Sequence, residues 1–194
     1  MPLDLCPVAL NARRYPGRTA LSWAGRSIAW DAFNNYVHST SRYLKEISVR
    51  AKAPVLVVTE PSPAYVIVLL ALWRIGAVPC PVDPHWLPAH ALSIHTAAQT
   101  DLVISARNLR KTWGPKVRWA DIEQVVAYGY NDTFLGCETS LEPQLDSDGT
   151  ALLRLGLSGD RVETQSLTHQ QLKEDPRELK ALFHALRTAE TYNI

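Results

Sequence analysis

The chain has 194 residues, of which 46% are hydrophobic and 20% are charged, a composition typical of a globular protein with one full core. Twenty basic and nineteen acidic residues leave a formal net charge of +1, which excludes a bulk electrostatic attraction to nucleic acid or to an anionic membrane. Three widely spaced cysteines without a CxxC pair favour reduced thiols and a cytoplasmic location. No apolar run approaches the roughly 20 residues that a membrane-spanning helix needs.

The first quarter of the chain predicts two helices and a hairpin. Residues 5–14 predict a short helix, and residues 19–30 alternate in strand fashion around a turn that contains Gly25. Asp31 is the expected N-cap of a long amphipathic helix. The apolar stripe of this helix recurs at three- and four-residue steps and comprises Phe33, Tyr36, Val37, Thr40, Tyr43, Leu44 and Ile47.

The next segment alternates between buried strands and helices. Residues 54–59 are short, β-branched and apolar throughout, which predicts a strand that is covered on both faces. Ser62 is the expected cap of the following helix, and residues 78–82 predict the next strand. A helix at 87–98 and a buried strand at 101–105 continue the alternation. This order predicts a doubly wound α/β fold, with a mostly parallel twisted sheet and helices on both faces.

The pattern is weaker beyond this α/β part, which spans residues 1–105. Residues 106–149 are irregular, although 117–119 and 124–128 predict edge elements. Residues 150–155 again predict a strand, and 156–166 predict a loop.

Two capping boxes predict helices in the C-terminal part, one formed by Thr168 and Gln171 and the other by residues 175–178. The last predicted helix carries an apolar stripe that either closes the core or docks a partner, which would be another polypeptide or a second copy of the chain. The residues of this stripe are Leu179, Leu182, Phe183 and Leu186. The whole of 1–194 is interpreted as a single lobe.

Two segments match a known family pattern. The run LLALWRIGAVPCPVDP at residues 69–84 and the run SIAWDAF at residues 27–33 resemble scaffold segments of the adenylate-forming, AMP-binding acyl-CoA synthetase and ligase superfamily. Their spacing and the Pro-Val-Asp-Pro turn are most similar to the o-succinylbenzoate-CoA ligases. The resemblance implies the fold of the N-terminal lobe of these enzymes. In their reaction a carboxylate attacks the α-phosphorus of ATP and pyrophosphate leaves.

A third segment, residues 150–169, resembles the strand, the Ser/Thr/Gly-rich phosphate loop and the Leu-Thr-His run of the same family. The resemblance implies that this loop contacts the phosphates of ATP and makes five residues candidates for binding a nucleotide. They are Gly156, Ser158, Gly159, Arg161 and Thr164. However, Glu163 stands at the lysine position of the family and Asp160 stands at the last loop glycine. Each carboxylate at about 4 Å from a phosphate would cost several kcal/mol, so ATP and Mg²⁺ are expected to bind weakly.

The resemblance therefore implies a truncated or degenerate relative that does not adenylate an acid by itself, because the family's downstream acyl pocket, magnesium segment and lysine are absent from these residues. Two alternatives remain open, a regulatory subunit that pairs with another polypeptide and a weak nucleotide-binding lobe. No catalytic residue and no metal ligand is predicted. The histidines at 85, 90 and 95 would point in different directions around a helix, and the Gly-Leu-Ser-Gly run departs from the spacing of a nucleophile elbow.

Overall fold

The computed structural model describes residues 7–130, 148–158, 161–175 and 177. Its helices are α1 (Pro7–Arg14), α2 (Trp30–Glu46), α3 (Pro63–Arg74), α4 (Ala91–Ala98), α5 (Ile122–Tyr130) and α6 (His169–Glu174). Its strands are β1 (Thr19–Trp23), β2 (Arg26–Ala29), β3 (Pro54–Val58), β4 (Val78–Val82), β5 (Leu102–Ser105), β6 (Arg118–Asp121), β7 (Thr150–Ser158) and β8 (Arg161–Thr168). Two 3₁₀ helices cover Pro84–Trp86 and Arg107–Trp113.

The central sheet has four parallel strands in the order β4-β3-β5-β6. The chain passes from β3 to its neighbour β4 and then returns across β3 to β5, so the winding reverses direction. This reversal places α3 and α4 on opposite faces of the sheet, because crossovers of one hand change face when they change direction. The predicted doubly wound α/β fold with helices on both faces is confirmed.

Strand β3 contributes to two hydrophobic cores. Val55 and Val57 face the core formed with α2, α3 and α5, whereas Leu56 and Val58 face the core formed with α4 and β7. None of the four side chains is more than 1% exposed. The uniformly apolar composition of β3 follows from burial on both faces, as the sequence predicts.

Helix α3 is apolar on nearly all sides because it lies between the sheet and α2. The hydroxyl oxygen of Ser62 accepts a hydrogen bond from the backbone N–H of Tyr65, and Pro63 occupies the first helical position. This confirms the predicted cap. The helix ends before Gly76, whose φ of +72° is in the left-handed region that favours glycine and turns the chain into β4.

The predicted hairpin between β1 and β2 is confirmed. Ala24 and Gly25 form its two-residue turn, with φ angles of +47° and +73°. The cap predicted at Asp31 is wrong by two positions, because α2 begins at Trp30 and Ala29 is the N-cap. Asp31 instead lies in the first helical turn, where the positive end of the helix dipole stabilises its negative charge.

Two further boundaries differ from the sequence prediction. Residues 124–128 are part of helix α5 rather than an edge element, because α5 buries Ile122, Val125 and Val126 in the core that it shares with α2 and α3. The helix predicted at 87–98 begins only at Ala91. In the preceding segment, Asp83 accepts a hydrogen bond from the backbone N–H of His85 and thereby stabilises a short 3₁₀ helix.

Helix α6 begins with the predicted capping box. The Thr168 hydroxyl accepts from the Gln171 N–H at 3.2 Å, and the Gln171 side chain accepts from the Thr168 N–H at 2.9 Å. In the second predicted box, Asp175 accepts from the backbone N–H of Arg177 at 3.1 Å. The predicted stripe Leu179, Leu182, Phe183 and Leu186 lies outside the described residues.

Candidate functional site

The candidate phosphate-binding segment forms an antiparallel hairpin. Strands β7 and β8 pair from Thr150 opposite Thr168 to Ser158 opposite Arg161. The loop predicted at 156–166 is therefore wrong, since residues 156–158 and 161–166 are strand. Small residues and glycines indicated a loop, but the alternation of Leu153, Leu155 and Leu157 across from Val162 was the signal for a half-buried strand.

The hairpin is fixed to the sheet by side chains from two elements. The indole N–H of Trp73 in α3 donates to the carbonyl of Ala151 at 2.6 Å. The thiol of Cys80 in β4 donates to the carbonyl of Leu153 at 3.3 Å. Burial raises the pKa of Cys80 to about 12, so the thiol stays protonated and can donate. These contacts dock β7 against β4.

The register divides the candidate residues between two faces of the hairpin. Gly156 and Ser158 lie opposite Glu163 and Arg161, so these residues share one face. Thr164 lies opposite Leu155 and therefore belongs to the other face, which packs against the core through Leu155. Gly159 lies in the connection at 159–160, outside the described residues. The structure thus brings together Gly156, Ser158 and Arg161 but not Thr164.

The paired strands do not fit a triphosphate cradle. A cradle needs consecutive backbone N–H groups that point at one anion, but successive N–H groups along a β-strand point in opposite directions. A Cβ built on Gly156 meets no atom within 4 Å, so no close backbone approach requires glycine there. What these strands can offer an anion is the hydroxyl of Ser158 and the guanidinium of Arg161, with the Glu163 carboxylate on the same face.

The carboxyl ends of the parallel strands carry polar residues that sequence analysis missed. Asp121 at the end of β6 is 4% exposed, and its Oδ2 accepts from the Arg107 Nε at 2.8 Å. The indole N–H of Trp119 donates to the Ser105 hydroxyl at 2.8 Å. These groups satisfy one another at the edge where ligands bind in many doubly wound folds, so we assign them a structural role.

The histidines do not form a metal site. His85 lies on the 3₁₀ helix after β4, where its ring nitrogen is 2.8 Å from Asp83 Oδ1 and 3.8 Å from Glu60 Oε1. The hydrogen bond to Asp83, with the charges of Asp83 and Glu60, raises the pKa of this exposed histidine. His95 lies on α4. The described part of the chain contains no group of three or more potential metal ligands, and none of its helices is long and apolar enough to cross a membrane.

This architecture defines the fold class of the protein. A parallel sheet with helices on both faces matches the N-terminal subdomain of adenylation enzymes. The N-terminal subdomain of Klebsiella oxytoca NpsA in complex with 3-hydroxybenzoyl-AMSN superimposes with a TM-score of 0.71 at 21% identity, over 84% of this chain and 40% of that one. VinN superimposes with a TM-score of 0.76 at 21% identity, over 90% of this chain and 47% of that one. These likenesses establish the fold.

Sequence comparison identifies the family. The AMP-binding enzyme family matches residues 8–148, and the chain belongs to this family. Gramicidin S synthase 2 of Brevibacillus brevis is 21% identical over 143 residues, which are 72% of this chain and 3% of that protein. Bacitracin synthase 3 of Bacillus licheniformis is 22% identical over 149 residues, which are 77% of this chain and 2% of that protein. The chain therefore spans a small part of the length of these synthetases.

Proposed function

We propose that this chain is a scaffold lobe of an adenylate-forming domain that does not activate a carboxylic acid by itself. The observation that carries the proposal is the strand pairing of Gly156 with Glu163 and of Ser158 with Arg161. We also propose that the protein is cytoplasmic. The lack of a CxxC pair and the buried free thiol of Cys80 support this location.

The chemistry of adenylation explains why this pairing matters. As pyrophosphate leaves, negative charge spreads over the phosphate oxygens and must be met by cations or by convergent N–H groups. In this hairpin the face that carries Ser158 and Arg161 also carries Glu163. A carboxylate on that face repels the phosphates of ATP and the charge that develops on them, so ATP, and the Mg²⁺ that it carries, is expected to bind only weakly.

We further propose that the adenylate-forming domain to which this lobe would belong uses an aromatic carboxylic acid. The Pro-Val-Asp-Pro turn at residues 81–84 is similar to that of o-succinylbenzoate-CoA ligases. The solved NpsA complexes contain 3-hydroxybenzoyl, anthranilyl and 3-hydroxyanthranilyl groups. The proposal extends the aromatic acyl groups named in the NpsA complexes to the acid that an adenylate-forming domain containing this chain would use.

Carboxylate-dependent exchange of pyrophosphate into ATP tests the proposal. The purified chain is assayed with o-succinylbenzoate, 3-hydroxybenzoate and anthranilate, beside an active adenylation enzyme as the positive control. We expect no exchange above the protein-free rate with any acid. Exchange that depends on the acid and is lost in Arg161→Ala would contradict the proposal.

A weak nucleotide site at the tip of the hairpin is the second candidate, because Ser158 and Arg161 are exposed and lie opposite each other. Calorimetric titration with MgATP tests it, with Ser158→Ala and Arg161→Ala as site variants. Arg26→Ala, at the tip of the other hairpin, is the matched control. Heat that only the site variants abolish supports this candidate, and the absence of heat at millimolar MgATP rejects it.

Pairing with another polypeptide is the third candidate. One similar solved protein is an artificially fused adenylation-PCP di-domain containing NpsA, so NpsA has been studied joined to a second domain. The apolar stripe Leu179, Leu182, Phe183 and Leu186 is the proposed contact. Light scattering of the wild type and of Leu182→Glu/Phe183→Glu tests it, and a wild type that stays monomeric and binds no partner rejects it.

A further inference from the structure

The net charge of the whole chain conceals a strongly basic α/β unit. Residues 7–130 contain fourteen Arg and Lys residues but seven Asp and Glu residues, an excess of seven positive charges. The whole chain has a formal charge of +1, so the balancing acidic residues lie mostly after residue 130. Basic residues are therefore concentrated in this part of the chain, and the local distribution of charge differs from the total.

The most distinctive basic surface lies on α1 and the turn that follows it. Arg13 and Arg14 follow Leu10 by three and four residues, which places both arginines on the same side of the helix as Leu10. The guanidinium carbons of Arg14 and Arg18 are 5.8 Å and 4.9 Å from the centre of the Tyr15 ring. We call these five residues the α1 basic face.

The α1 basic face combines free charge with exposed apolar surface. Within the described residues, none of its three arginines forms an ion pair with a carboxylate. Leu10 is 42% exposed and Tyr15 is 38% exposed, and they are two of the three large hydrophobic residues exposed in the described part of the chain. Arginine and tyrosine are the residue types most enriched among the energetic centres of protein interfaces.

The backbone beneath this face is fixed to the core. Val8 is 5% exposed and packs α1 into the core that contains α2. The turn after α1 is bound to the start of α2, because Trp30 donates to the Arg18 carbonyl at 2.9 Å and Asp31 donates to the Pro16 carbonyl at 3.1 Å. A ligand therefore meets arginines whose backbone is already ordered, which lowers the entropic cost of binding.

We propose that the α1 basic face binds an acidic segment of another protein, in which carboxylates flank an apolar side chain. Guanidinium groups pair with carboxylates in a planar two-point geometry, and Leu10 and Tyr15 supply apolar contact. A nucleic acid fits less well, because the Arg18 guanidinium lies over the Tyr15 ring where a base would stack, and exposed Leu10 is better matched by an apolar side chain than by a phosphate. The proposal uses no residue of the β7–β8 hairpin and is independent of the scaffold role proposed above.

Fluorescence anisotropy tests the proposal with a labelled sixteen-residue peptide of glutamate, leucine and phenylalanine. The wild-type chain is expected to bind it saturably, with an affinity that falls about tenfold between 50 and 300 mM NaCl. Arg14→Glu/Arg18→Glu is expected to weaken binding at least about tenfold. Lys111→Glu/Lys116→Glu is the control, since it changes the net charge equally on two exposed lysines that are not part of the α1 basic face, and it should weaken binding less than about threefold.

The apolar contribution is tested by Tyr15→Ala, which should weaken binding, and by Tyr15→Phe, which should not. Equal losses in the two double variants would overturn the proposal, because the attraction would then depend on total charge alone. Tighter binding of a sixteen-nucleotide oligothymidine through Arg14 and Arg18 would also overturn it. If the glutamate double variant does not fold, Arg14→Gln/Arg18→Gln replaces it, and unchanged peptide binding by that variant would reject the proposal.

Discussion

Asp121 is the buried carboxylate that holds the end of the parallel sheet together. Its two oxygens accept from the Arg107 Nε at 2.8 Å and from the Glu123 backbone N–H at 3.1 Å, which joins β6, α5 and the preceding 3₁₀ helix. Asp121→Ala should lower the free energy of unfolding by about 1–2 kcal/mol, because it removes a helix cap and the charged hydrogen-bond partner of Arg107, whose side chain is 72% exposed and is then hydrated. Urea denaturation measures this loss.

The matched control is Asp101→Ala, which removes an ion pair with Arg118. The Asp101 side chain is 77% exposed and the Arg118 side chain is 44% exposed. Solvent screens that pair, so the loss should stay below about 1 kcal/mol. Equal losses in the two variants would show that burial does not strengthen the contacts of Asp121.

His38 gives the fold a dependence on pH. Burial lowers the pKa of His38, and the positive charges of Arg74, Arg42 and Lys45 lower it further. When the pH falls below about 6.5, the usual pKa of histidine, His38 is therefore protonated in the unfolded chain but stays neutral in the folded chain. The stability that neutral His38 contributes is complete above that pH and is lost as the pH falls toward the lower pKa of the folded state.

Urea denaturation at pH 7.5 and pH 5.5 checks this direction. The loss of stability on acidification should be smaller in His38→Gln than in the wild type. His85→Gln is the control, because the pKa of exposed His85 is raised and its linkage has the opposite sign. An equal loss in His38→Gln and in the wild type would contradict the assignment to His38.

At the scale of elements, the β7–β8 and β1–β2 hairpins predict opposite outcomes for one glycine each, Gly156 and Gly25. Gly156 lies in a strand with no atom within 4 Å of a built Cβ, so Gly156→Ala should change the free energy of unfolding by less than about 0.5 kcal/mol or raise it slightly. Gly25 has a φ of +73°, so Gly25→Ala should lower the free energy of unfolding by about 1 kcal/mol. Thermal denaturation of both variants measures the difference. A large loss in Gly156→Ala would indicate a glycine-dependent loop in place of the strand.

The elements that the sequence predicts best are those with local signals. Strand β3 and helix α3 are evident because an uninterrupted apolar run and a Ser-Pro cap need no information from elsewhere in the chain. Helix α5 was missed because its short β-branched sequence becomes helical through packing in the core of α2 and α3. Strand β7 was predicted only over residues 150–155, and most of β8 was predicted as a loop, because these strands are defined by their pairing and only the register separates Thr164 from Ser158.

At the scale of the whole molecule, the sheet separates two cores that share the same strands. The fold could be predicted because strand and helix alternate along the chain, but the layer formed by β7 and β8 could not, since it depends on contacts with distant Trp73 and Cys80. The α1 basic face was also hidden in the sequence, because a total charge of +1 averages a basic unit with acidic residues elsewhere. Composition summed over a chain therefore does not show where on the surface the charges are concentrated.

The shared strands predict that both cores unfold together. Leu56 is fully buried in the core on the α4 side, opposite Cys80 and Val103 in the register. Leu56→Ala should lower the free energy of unfolding by about 2–5 kcal/mol, because it leaves a cavity between well-packed strands. In a single cooperative unit, amide protection in α3, on the opposite face, should fall by the same free energy.

Hydrogen exchange followed by NMR checks this expectation residue by residue. Leu92→Ala is the matched control, since the Leu92 side chain on α4 is 79% exposed and its loss should cost less than about 0.5 kcal/mol. If Leu56→Ala speeds exchange in α4 and β7 but leaves α3 at wild-type protection, the two cores unfold independently. The hairpin layer would then be a separate folding unit attached to the sheet, and its docking through Trp73 and Cys80 could open without loss of the α2–α3–α5 core.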